Sequence, residues 1–452
     1  MQIALTHGYF LNEDPKELEI MRPYPTLGLL YVSAYLKENG VMVEVIDSTF
    51  ITKSEWIATI KEMQPTILAF YVNLMTKVNI LELVKQIKSE LPDCILVAGG
   101  PDITYNVENY LTAGFDITVL GEGEQTMLEL VQSIDSGDDL KTISGIAYKV
   151  ESKTIINQER TKIKDLSTLP IPDRDAIPIE KYLNTWKQHH GMRTLNISTQ
   201  RGCPYTCKWC STAVYGQSYR RNSPQKVVEE IQFLIDKYSV EALWFVDDVF
   251  TVSHKWLTEL HAEFKEHSLV IPFEIITRAE RLNDEVLMQL KEMGCFRIWI
   301  GAESGSQRII DKMDRRVDLK TVQQMINRTE ALGMEAGTFI MVGYPTETHE
   351  DLLQTMEHIK AANPSYLTIT KAYPIKGTSL YEEIKDSVVT FPKWEISTDR
   401  DTKIPLIYRD KYYTNAIRFL VNGWAAKRKK SLKHALKCKL AYLMMKWNKK
   451  AG

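Results

Sequence analysis

Apolar and polar residues alternate along the first part of the chain in a pattern that predicts strands and helices in turn. Short apolar runs indicate buried strands, and each is followed by residues whose apolar members recur at helical spacing. In one such stretch Ile80, Leu83, Val84 and Ile87 fall at i, i+3, i+4 and i+7, on one face of a helix. The predicted strands are MQIALTH, VMVEVID, residues 67–71, ILVAGG and DITVLGEGE. Alternation of this kind predicts an open, parallel, Rossmann-like α/β domain over residues 1–136.

The pattern changes over residues 137–192. GIAYKVESKTIINQE is typical of a hairpin, and DLSTLPIPDRDAIPIEKY is a proline-rich stretch that favours extended chain. These residues are predicted to form a linker.

Strand and helix patterns resume over residues 193–380 and repeat six times. Ser253, Asn283 and Thr348 each stand where a helix N-cap is expected. The predicted strands are LNIS, LWFV, FEIIT, RIWIG, GTFIMV and YLTIT. Six units are fewer than the eight of a closed barrel, so a partial (β/α)6 barrel is expected, with its functional face at the carboxyl ends of the strands.

The last region, residues 381–452, is predicted to be helical and is strongly basic. From Lys411 onward it contains 12 Lys and Arg and no Asp or Glu. Two interpretations remain open: docking on an anionic membrane surface, or packing against the barrel mouth with the lysines in solvent. Packing is the favoured one. The apolar residues that share one helical face are Leu432, Leu436, Leu440, Leu443 and Trp447.

Composition places the chain among globular proteins, with 44 % hydrophobic and 25 % charged residues. No apolar run is long enough for a membrane span, and the first residues carry no export pattern. A cytoplasmic location is therefore expected, with peripheral membrane contact through the basic tail as its variant. No RNA-binding module is recognisable, so no nucleic-acid partner is expected.

Three of the six cysteines, Cys203, Cys207 and Cys210, lie within RGCPYTCKWC directly after the first predicted barrel strand. Their thiolates can hold three irons of a 4Fe–4S cluster and leave the fourth iron open to S-adenosylmethionine (SAM). A zinc site is the alternative, although tetrahedral zinc requires a fourth ligand nearby. The other cysteines are expected to be small core residues: Cys94, Cys295 and Cys438.

The cysteine motif and its place after the first strand resemble the signature of the radical SAM superfamily across residues 193–380. YRRNSP, LWFVDDVFT, IWIGAESGSQ and MVGYPTET resemble the members that carry an N-terminal cobalamin-binding domain. YPTLGLLYVSAYL, GGPDIT and LGEGEQT in residues 1–136 resemble that domain itself. The group contains methyltransferases of unactivated carbon and anaerobic cyclases.

The resemblance implies roles for individual residues of the barrel. Cys203, Cys207 and Cys210 are expected to bind the cluster, and Trp209 is expected to lie against the adenine of SAM. The other expected SAM contacts follow predicted strands and are Asp247, Asp248, Arg278, Glu303 and Ser304. The resemblance assigns no further catalytic residue. It implies an external electron donor such as flavodoxin or ferredoxin.

Cobalamin is the other cofactor that the resemblance implies. Many cobalamin domains supply a cobalt ligand from Asp-x-His-x-x-Gly, a motif this sequence lacks. Its only early histidine, His7, is interpreted as a loop residue and not a ligand, and the resembling group commonly leaves the lower face of cobalt without a protein ligand. The residues expected to hold cobalamin are Asn73, Leu74, Met75, Thr76, Gly99, Gly100, Gly121, Glu122, Gly123 and Glu124.

The leading functional prediction is methylation of an unactivated carbon of a small-molecule or lipid-like substrate. A cobalamin-dependent radical cyclisation or rearrangement without methyl transfer is the nearest alternative. A non-catalytic iron–sulfur or cobalamin sensor is the third. The open-iron spacing of the cysteines and the carboxylates after the barrel strands favour an enzyme.

Overall fold

The computed structural model describes residues 1–211, 215–390, 393–398 and 401–449. Its helices are α1 Pro15–Ile20, α2 Leu27–Glu38, α3 Lys53–Met63, α4 Lys77–Glu90, α5 Val107–Thr112, α6 Gly123–Ser136, α7 Ile179–His190, α8 Pro224–Tyr238, α9 His254–Glu266, α10 Asp284–Met293, α11 Gln307–Lys312, α12 Leu319–Ala331, α13 His349–Ala362, α14 Ser379–Ile384, α15 Asp410–Arg428 and α16 Leu432–Trp447. Its strands are β1 Ile3–His7, β2 Glu44–Ile46, β3 Ile67–Tyr71, β4 Ile95–Gly99, β5 Ile117–Val119, β6 Ile146–Val150, β7 Lys153–Ile156, β8 Thr194–Ile197, β9 Gln200–Arg201, β10 Arg220–Arg221, β11 Ala242–Phe245, β12 Phe273–Thr277, β13 Cys295–Glu303, β14 Glu335–Val342, β15 Tyr366–Lys371, β16 Val389–Thr390 and β17 Thr402–Lys403.

The chain forms two compact units, and neither is a continuous segment. The first comprises Met1–Cys203, Thr212–Ala242 and Thr390–Asp401, and the second comprises Pro204–Ser211, Leu243–Val389 and Thr402–Gly452.

The first unit is built on a seven-stranded sheet in the order β2-β1-β3-β4-β5-β6-β7. Strands β1 to β5 are parallel, as the sequence predicts. Buried side chains of β3 and β4 form one hydrophobic core with the apolar faces of α3 and α4. Large aromatic residues such as Trp56, Phe70 and Tyr110 fill this core. Parallel strands covered by helices on both faces make a Rossmann-like domain, so the predicted class is confirmed.

Two parts of the predicted linker have regular structure. The predicted hairpin is β6–β7, and β6 pairs antiparallel with β5, so the hairpin extends the first sheet. The proline-rich stretch leads into α7, which buries Tyr182, Leu183 and Trp186. The sequence did not predict α7, because its prolines favour extended chain up to the residue where the helix begins.

A late segment of the chain returns to the first unit. The ring of Trp394 meets that of Tyr110 edge-on, with centroids 4.7 Å apart. The buried Lys77 ammonium donates to the Trp394 carbonyl at 2.8 Å and lies 4.7 Å from the centre of its ring. Residues 393–398 therefore complete the surface of α4 and α5.

The second unit contains the parallel strands β11 to β15, which pair in chain order. The predicted caps are confirmed at α9, α10 and α13, where Ser253, Asn283 and Thr348 accept backbone N–H groups. With β8 and α8, the chain has the six predicted strand–helix repeats of a partial barrel. No helix among the described residues is long and apolar enough to span a bilayer.

The last two helices, α15 and α16, pack against each other in the second unit. The prediction that the apolar face from Leu432 to Trp447 packs against the barrel is wrong. That face is exposed, because α16 buries its opposite side through Ala441 and Met445. We call the exposed set the α16 stripe: Leu432, Leu436, Leu440, Leu443 and Trp447.

No disulfide joins the six cysteines, all of which lie in the described part of the chain. Cys94 and Cys295 are buried, as predicted for small core residues. Cys438 is only half-buried, where α16 meets α15, and its thiol lies 3.6 Å from the Phe419 carbonyl.

Candidate active site

A cavity of about 170 Å³ opens in the first unit, past the carboxyl ends of its parallel strands. Open α/β sheets bind ligands at this edge. The cavity has more apolar than polar wall, and its lining residues are Leu5, Gly28, Leu29, Val32, Ala69, Phe70, Tyr71, Val97, Gly99, Gly100, Val119, Gly121, Glu122, Gly123, Glu124, Met127, Arg201 and Tyr215.

Two glycine-bearing turns shape the cavity. Gly100 has φ +120°, and a Cβ there would lie 2.3 Å from the Val72 carbonyl oxygen, so the turn after β4 requires glycine. Gly121 has φ +82° in the turn after β5. Six of the ten residues predicted to hold cobalamin, from Gly99–Gly100 and 121–124, therefore line one cavity.

The acidic side chains of the second turn are held by arginines. Glu122 accepts from Arg201 at 2.9 Å and from Arg220 at 2.9 Å, and Glu124 accepts from Arg201. Arg201, Glu122 and Glu124 are all buried. Burial lowers the pKa of Arg201, but the opposing effect of the charges of Glu124 and Tyr215 is larger. The pKa of Arg201 therefore stands well above its ordinary value. The two glutamates thus fasten Arg201 and do not point a free carboxylate at a ligand.

The turn at Asn73–Thr76 lies outside the residues that line the cavity. Asn73 Oδ1 accepts the backbone N–H groups of Met75 and Thr76, each at 3.0 Å, and Thr76 Oγ1 accepts that of Asn73 at 3.1 Å. These bonds start α4, while the Met75 side chain is exposed. The roles predicted for Asn73, Leu74, Met75 and Thr76 stay predictions.

His7 is the buried last residue of β1, and both of its ring nitrogens have partners. Nε2 lies 2.9 Å from Asp47 Oδ1, and Nδ1 lies 3.0 Å from Ser48 Oγ. The Tyr182 hydroxyl donates to the other Asp47 oxygen at 2.8 Å. Burial raises the pKa of Asp47, but the hydrogen bonds from His7, Thr49 and Tyr182 together lower it by more. The net shift of the Asp47 pKa is therefore downward. A histidine held in this way connects strands and has no nitrogen to offer to cobalt.

The cysteine loop carries one buried thiol, on Cys203, and two half-buried thiols, on Cys207 and Cys210. Among the described residues, no three His, Cys, Asp or Glu side chains form a group that could hold a metal ion. In a 4Fe–4S cluster each thiolate binds a different iron, so such a site is wider than that of a single ion.

Arg278, at the end of β12, contacts the sulfur of Cys207 in the second unit. Its Nη1 donates to Cys207 Sγ at 3.2 Å, and its other nitrogens donate to Glu280 and to the Arg315 carbonyl. The guanidinium also lies 4.0 Å from the ring centre of Tyr205. Burial lowers the pKa of Arg278, but the charges of Glu280 and Cys207 raise it, and the net shift is upward. A fixed positive charge thus lies against one of the three sulfurs that are predicted to bind the cluster.

Trp209 of the cysteine loop has a hydrogen-bond donor that could bind a ligand atom. Its indole N–H is buried and meets no acceptor in the described part of the chain. A buried donor without a partner costs about 1–3 kcal/mol, which a ligand acceptor would recover. The nitrogens of an adenine are acceptors of this kind, so the residue fits the role predicted for it.

The remaining predicted SAM contacts follow strands of the second unit. Asp247 is buried, whereas the neighbouring Asp248 is exposed. The pKa of Asp248 is nevertheless raised, because the surrounding protein partly desolvates its carboxylate and Asp247 adds a like charge beside it. Glu303 is buried at the end of β13 with φ +64°, a strained backbone for a residue other than glycine. Burial raises the pKa of Glu303, and the charges of Arg315 and Arg278 oppose that rise.

Ser304, next to Glu303, has its hydroxyl inside the protein. It accepts the backbone N–H of Ser306 at 3.1 Å and lies 3.4 Å from Thr355 Oγ1. The predicted contact between Ser304 and SAM stays a prediction, to which this geometry adds no support.

Sequence reasoning missed several residues around these sites. Arg201 and Tyr215 line the cavity, and Tyr205 and Arg315 surround Arg278. Arg201 and Tyr205 lie within the motif RGCPYTCKWC, and this position was the signal that the sequence offered for them. Gly28 of α2 also lines the cavity, and its lack of a side chain leaves that part of the cavity open.

Two family models match separate parts of this chain. The model of the radical SAM superfamily matches residues 197–359, and that of the B12-binding domain matches residues 19–131. An uncharacterized methyltransferase of Pyrococcus horikoshii is 29 % identical, over 86 % of this chain and 84 % of the relative. An anaerobic magnesium-protoporphyrin IX monomethyl ester cyclase of Rubrivivax gelatinosus is 27 % identical, over 82 % of this chain and 68 % of the relative.

A solved structure has the same fold. The radical S-adenosylmethionine methyltransferase TsrM of Kitasatospora setae, with cobalamin and a 4Fe–4S cluster bound, gives a TM-score of 0.74 at 14 % identity. The match covers 98 % of this chain and 99 % of that chain.

Proposed function

We propose that this chain, in which residues 197–359 match the radical SAM family model and residues 19–131 match the B12-binding model, methylates an unactivated carbon of a small-molecule substrate. The observation that carries the proposal is the place of Arg201. This residue lines the cavity of the first unit, is paired there to Glu122 and Glu124, and stands two residues before Cys203. The cysteine loop thus starts at the wall of the cavity in which cobalamin is expected.

The cofactors of this enzyme class are a 4Fe–4S cluster, SAM and cobalamin, and the residues present fit all three. When bound, the cluster and SAM supply a 5′-deoxyadenosyl radical that abstracts a substrate hydrogen, and cobalamin supplies the methyl group. We assign the cluster to Cys203, Cys207 and Cys210. Glycine turns permit close approach of the backbone to a bulky planar ring, and the cavity of about 170 Å³ has room for one aromatic group of the nucleotide tail.

The chain's own residues hold and orient these groups. Arg278 keeps positive charge beside the Cys207 sulfur, and Tyr205 covers the guanidinium. Trp209 offers an unmatched N–H toward adenine. We assign the amino acid part of SAM to Asp247, Asp248, Arg278, Glu303 and Ser304 as a set. The buried charged side chains among them, Asp247, Arg278 and Glu303, lie where water is excluded and electrostatic interactions are stronger.

Cyclisation without methyl transfer is the second candidate, and the similarity to the Rubrivivax cyclase favours it. The two reactions leave different products. Methyl transfer yields S-adenosylhomocysteine together with 5′-deoxyadenosine, whereas a cyclase yields no S-adenosylhomocysteine.

Three finer parts of the proposal concern partners and location. We propose a lipid-like substrate, because an exposed apolar helix face lies on the same unit as the SAM residues. We also propose an external one-electron donor such as flavodoxin or ferredoxin, and a cytoplasmic location with peripheral membrane contact.

The test is SAM cleavage by anaerobically reconstituted protein. Wild type is expected to release 5′-deoxyadenosine, and Cys207→Ala is expected to release none, because the cluster loses one of its three thiolates. Cys94→Ala is the matched control, since Cys94 is a buried thiol in the first unit whose pKa burial raises to about 11. A fully active Cys207→Ala protein would end the proposal.

A further inference from the structure

The α16 stripe is an apolar surface with a basic border, and we propose that it docks the protein on a membrane of anionic phospholipid. In this arrangement α16 lies flat, with the stripe between the head groups and the acyl chains. The proposal goes beyond methyl transfer and does not rest on it.

The stripe is the most exposed apolar surface on α16. Leu432 is 84 % exposed, Leu436 70 % and Trp447 86 %. At 3.6 residues per turn its five residues fall within an arc of about 80°. Tryptophan is enriched where membranes meet water, because its ring is apolar and its N–H is polar. Contiguous exposed apolar residues of this kind mark an interaction site.

Lysines border the stripe on both sides. Lys433 and Lys437 follow one edge, and Lys439 and Lys446 follow the other, all four of them exposed. Long lysine side chains keep their charge at the surface while the apolar face is immersed. The chain from Lys411 onward holds 12 basic and no acidic residues, so the charge of this region matches an anionic surface.

The opposite side of α16 is firmly seated on α15. Ala441 and Met445 are buried, and His434 Nδ1 lies 3.0 Å from Asn422 Oδ1. On α15, Gly423 lies close to Met356 of α13, where a Cβ would stand 2.3 Å from the methionine side chain, and the Cys438 sulfur of α16 lies at an ordinary contact distance of 3.4 Å from the same point. The helix is therefore held by one face and presents the other, as docking in the membrane plane requires.

A groove between α15 and α16 adjoins the stripe. Lys411 and Arg418 contribute positive charge to it, and Leu443, Met444 and Trp447 form its apolar wall. Lysine and arginine bind phosphate through charge-assisted hydrogen bonds. The groove thus suits a lipid head group whose acyl chains lie along the stripe.

A second copy of this chain fits the surface less well. Two stripes placed face to face would bring the bordering lysines of both copies together, and like charges across an interface cost free energy. An anionic bilayer instead meets both the apolar and the charged part of the surface.

The experiment is flotation of the whole protein with vesicles, compared between pure phosphatidylcholine and a mixture of phosphatidylcholine with phosphatidylglycerol. Wild type is expected to float with the anionic vesicles only. Removing the stripe is expected to lower partitioning more than a hundredfold, since each large apolar side chain contributes roughly tenfold or more. The stripe variant is Leu436→Ser, Leu440→Ser and Trp447→Ser. Its matched control carries Met42→Ser, Ile156→Ser and Val270→Ser, which are also exposed apolar residues.

A second pair of variants isolates the charge. Lys433→Glu with Lys437→Glu is expected to lower partitioning at least about fivefold for each lysine, and high salt is expected to weaken wild-type binding. Lys255→Glu is the control, because Lys255 is exposed on α9, away from α16. Lys411→Ala tests the groove and is expected to weaken binding by a similar factor.

Light scattering and thermal melts complete the design. All variants change exposed side chains and are expected to melt with wild type. Equal flotation of wild type and stripe variant would overturn the proposal, and so would absence of flotation by folded wild type. A wild-type dimer that the stripe substitutions convert to monomer would assign the surface to a second copy instead. SAM cleavage measured without vesicles reports on the proposed reaction separately.

Discussion

Replacing Gly28 by phenylalanine is expected to close the cavity of the first unit and leave the fold in place. Gly28 lies in the first turn of α2 and lines the cavity. A Cβ at this position would lie 3.8 Å from Tyr71 Cε2, which is an ordinary contact, and the backbone is not in the left-handed region. A side chain added here therefore enters the cavity without straining the helix.

The expected size of the effect follows from the volume of the cavity. At about 170 Å³ it is close to an engineered cavity of about 150 Å³ that binds benzene, so one aromatic ring fills most of it. An aromatic group buries roughly 150–250 Å², which at about 25 cal/mol per Å² gives about 4–6 kcal/mol. If the ring system of cobalamin's nucleotide tail enters this cavity, Gly28→Phe is expected to weaken binding about a thousandfold or more.

The assay loads protein with hydroxocobalamin, removes the excess and reads the visible spectrum for each mole of protein. Gly28→Ala is the control, because a methyl group fits and binding is expected to persist. Phenylalanine has a higher helix propensity than glycine, so the free energy of unfolding is expected to stay within about 1 kcal/mol of wild type. Folded Gly28→Phe protein that retains cobalamin at the wild-type ratio would refute this account of the cavity.

Three further outcomes are expected from other positions. Arg201→Met leaves Glu124 buried without its partner and is expected to lower the free energy of unfolding by about 3–5 kcal/mol in denaturant titration. Its control, Lys187→Met, removes the exposed pair with Glu241 and is expected to cost under about 1 kcal/mol. Burial raises the pKa of Glu347 to about 8, above the value of about 4.3 in unfolded chains. Between these two pH values Glu347 keeps its proton in the folded protein and loses it on unfolding. The contribution of this group to the free energy of unfolding therefore falls as pH rises from about 4.3 to about 8. Glu347→Gln is expected to remove that slope, and an unchanged slope would contradict it. His7→Ala is expected to lower the melting temperature and leave cobalamin retention unchanged, and loss of cobalamin from folded protein would make His7 part of the site.

Local signals were enough to predict most of the sheet strands. β3 and β12 were predicted at their observed bounds, and so was α10, because short apolar runs and a helix cap define them without reference to distant residues. The turns at Gly99–Gly100 and 121–124 were also predictable, since chain order alone brings the carboxyl ends of parallel strands to one edge.

Features that depend on distant partners could not be predicted. The ion pairs of Glu122 with Arg201 and Arg220 could not be predicted, because both arginines lie far along the chain from Glu122. The α16 stripe was predicted to pack against the barrel mouth, with the lysines in solvent. In the structure α16 instead rests on α15 through its opposite face, where Ala441 and Met445 are buried, and the sequence of α16 alone does not show which face meets a distant helix.

The return of Trp394 to the first unit has a consequence for how the protein is made. Chains emerge from the ribosome in order, and domains generally fold as they emerge. The first unit cannot finish in this way, because Tyr110 and the buried ammonium of Lys77 have Trp394 as a partner. Until residue 394 has been synthesised, this part of the surface of α4 and α5 stays uncovered, while the strands β11 to β15 of the second unit have already emerged. The first unit is therefore completed only after most of the second unit has emerged, and a fragment that ends before residue 390 would expose this surface to chaperones and proteases.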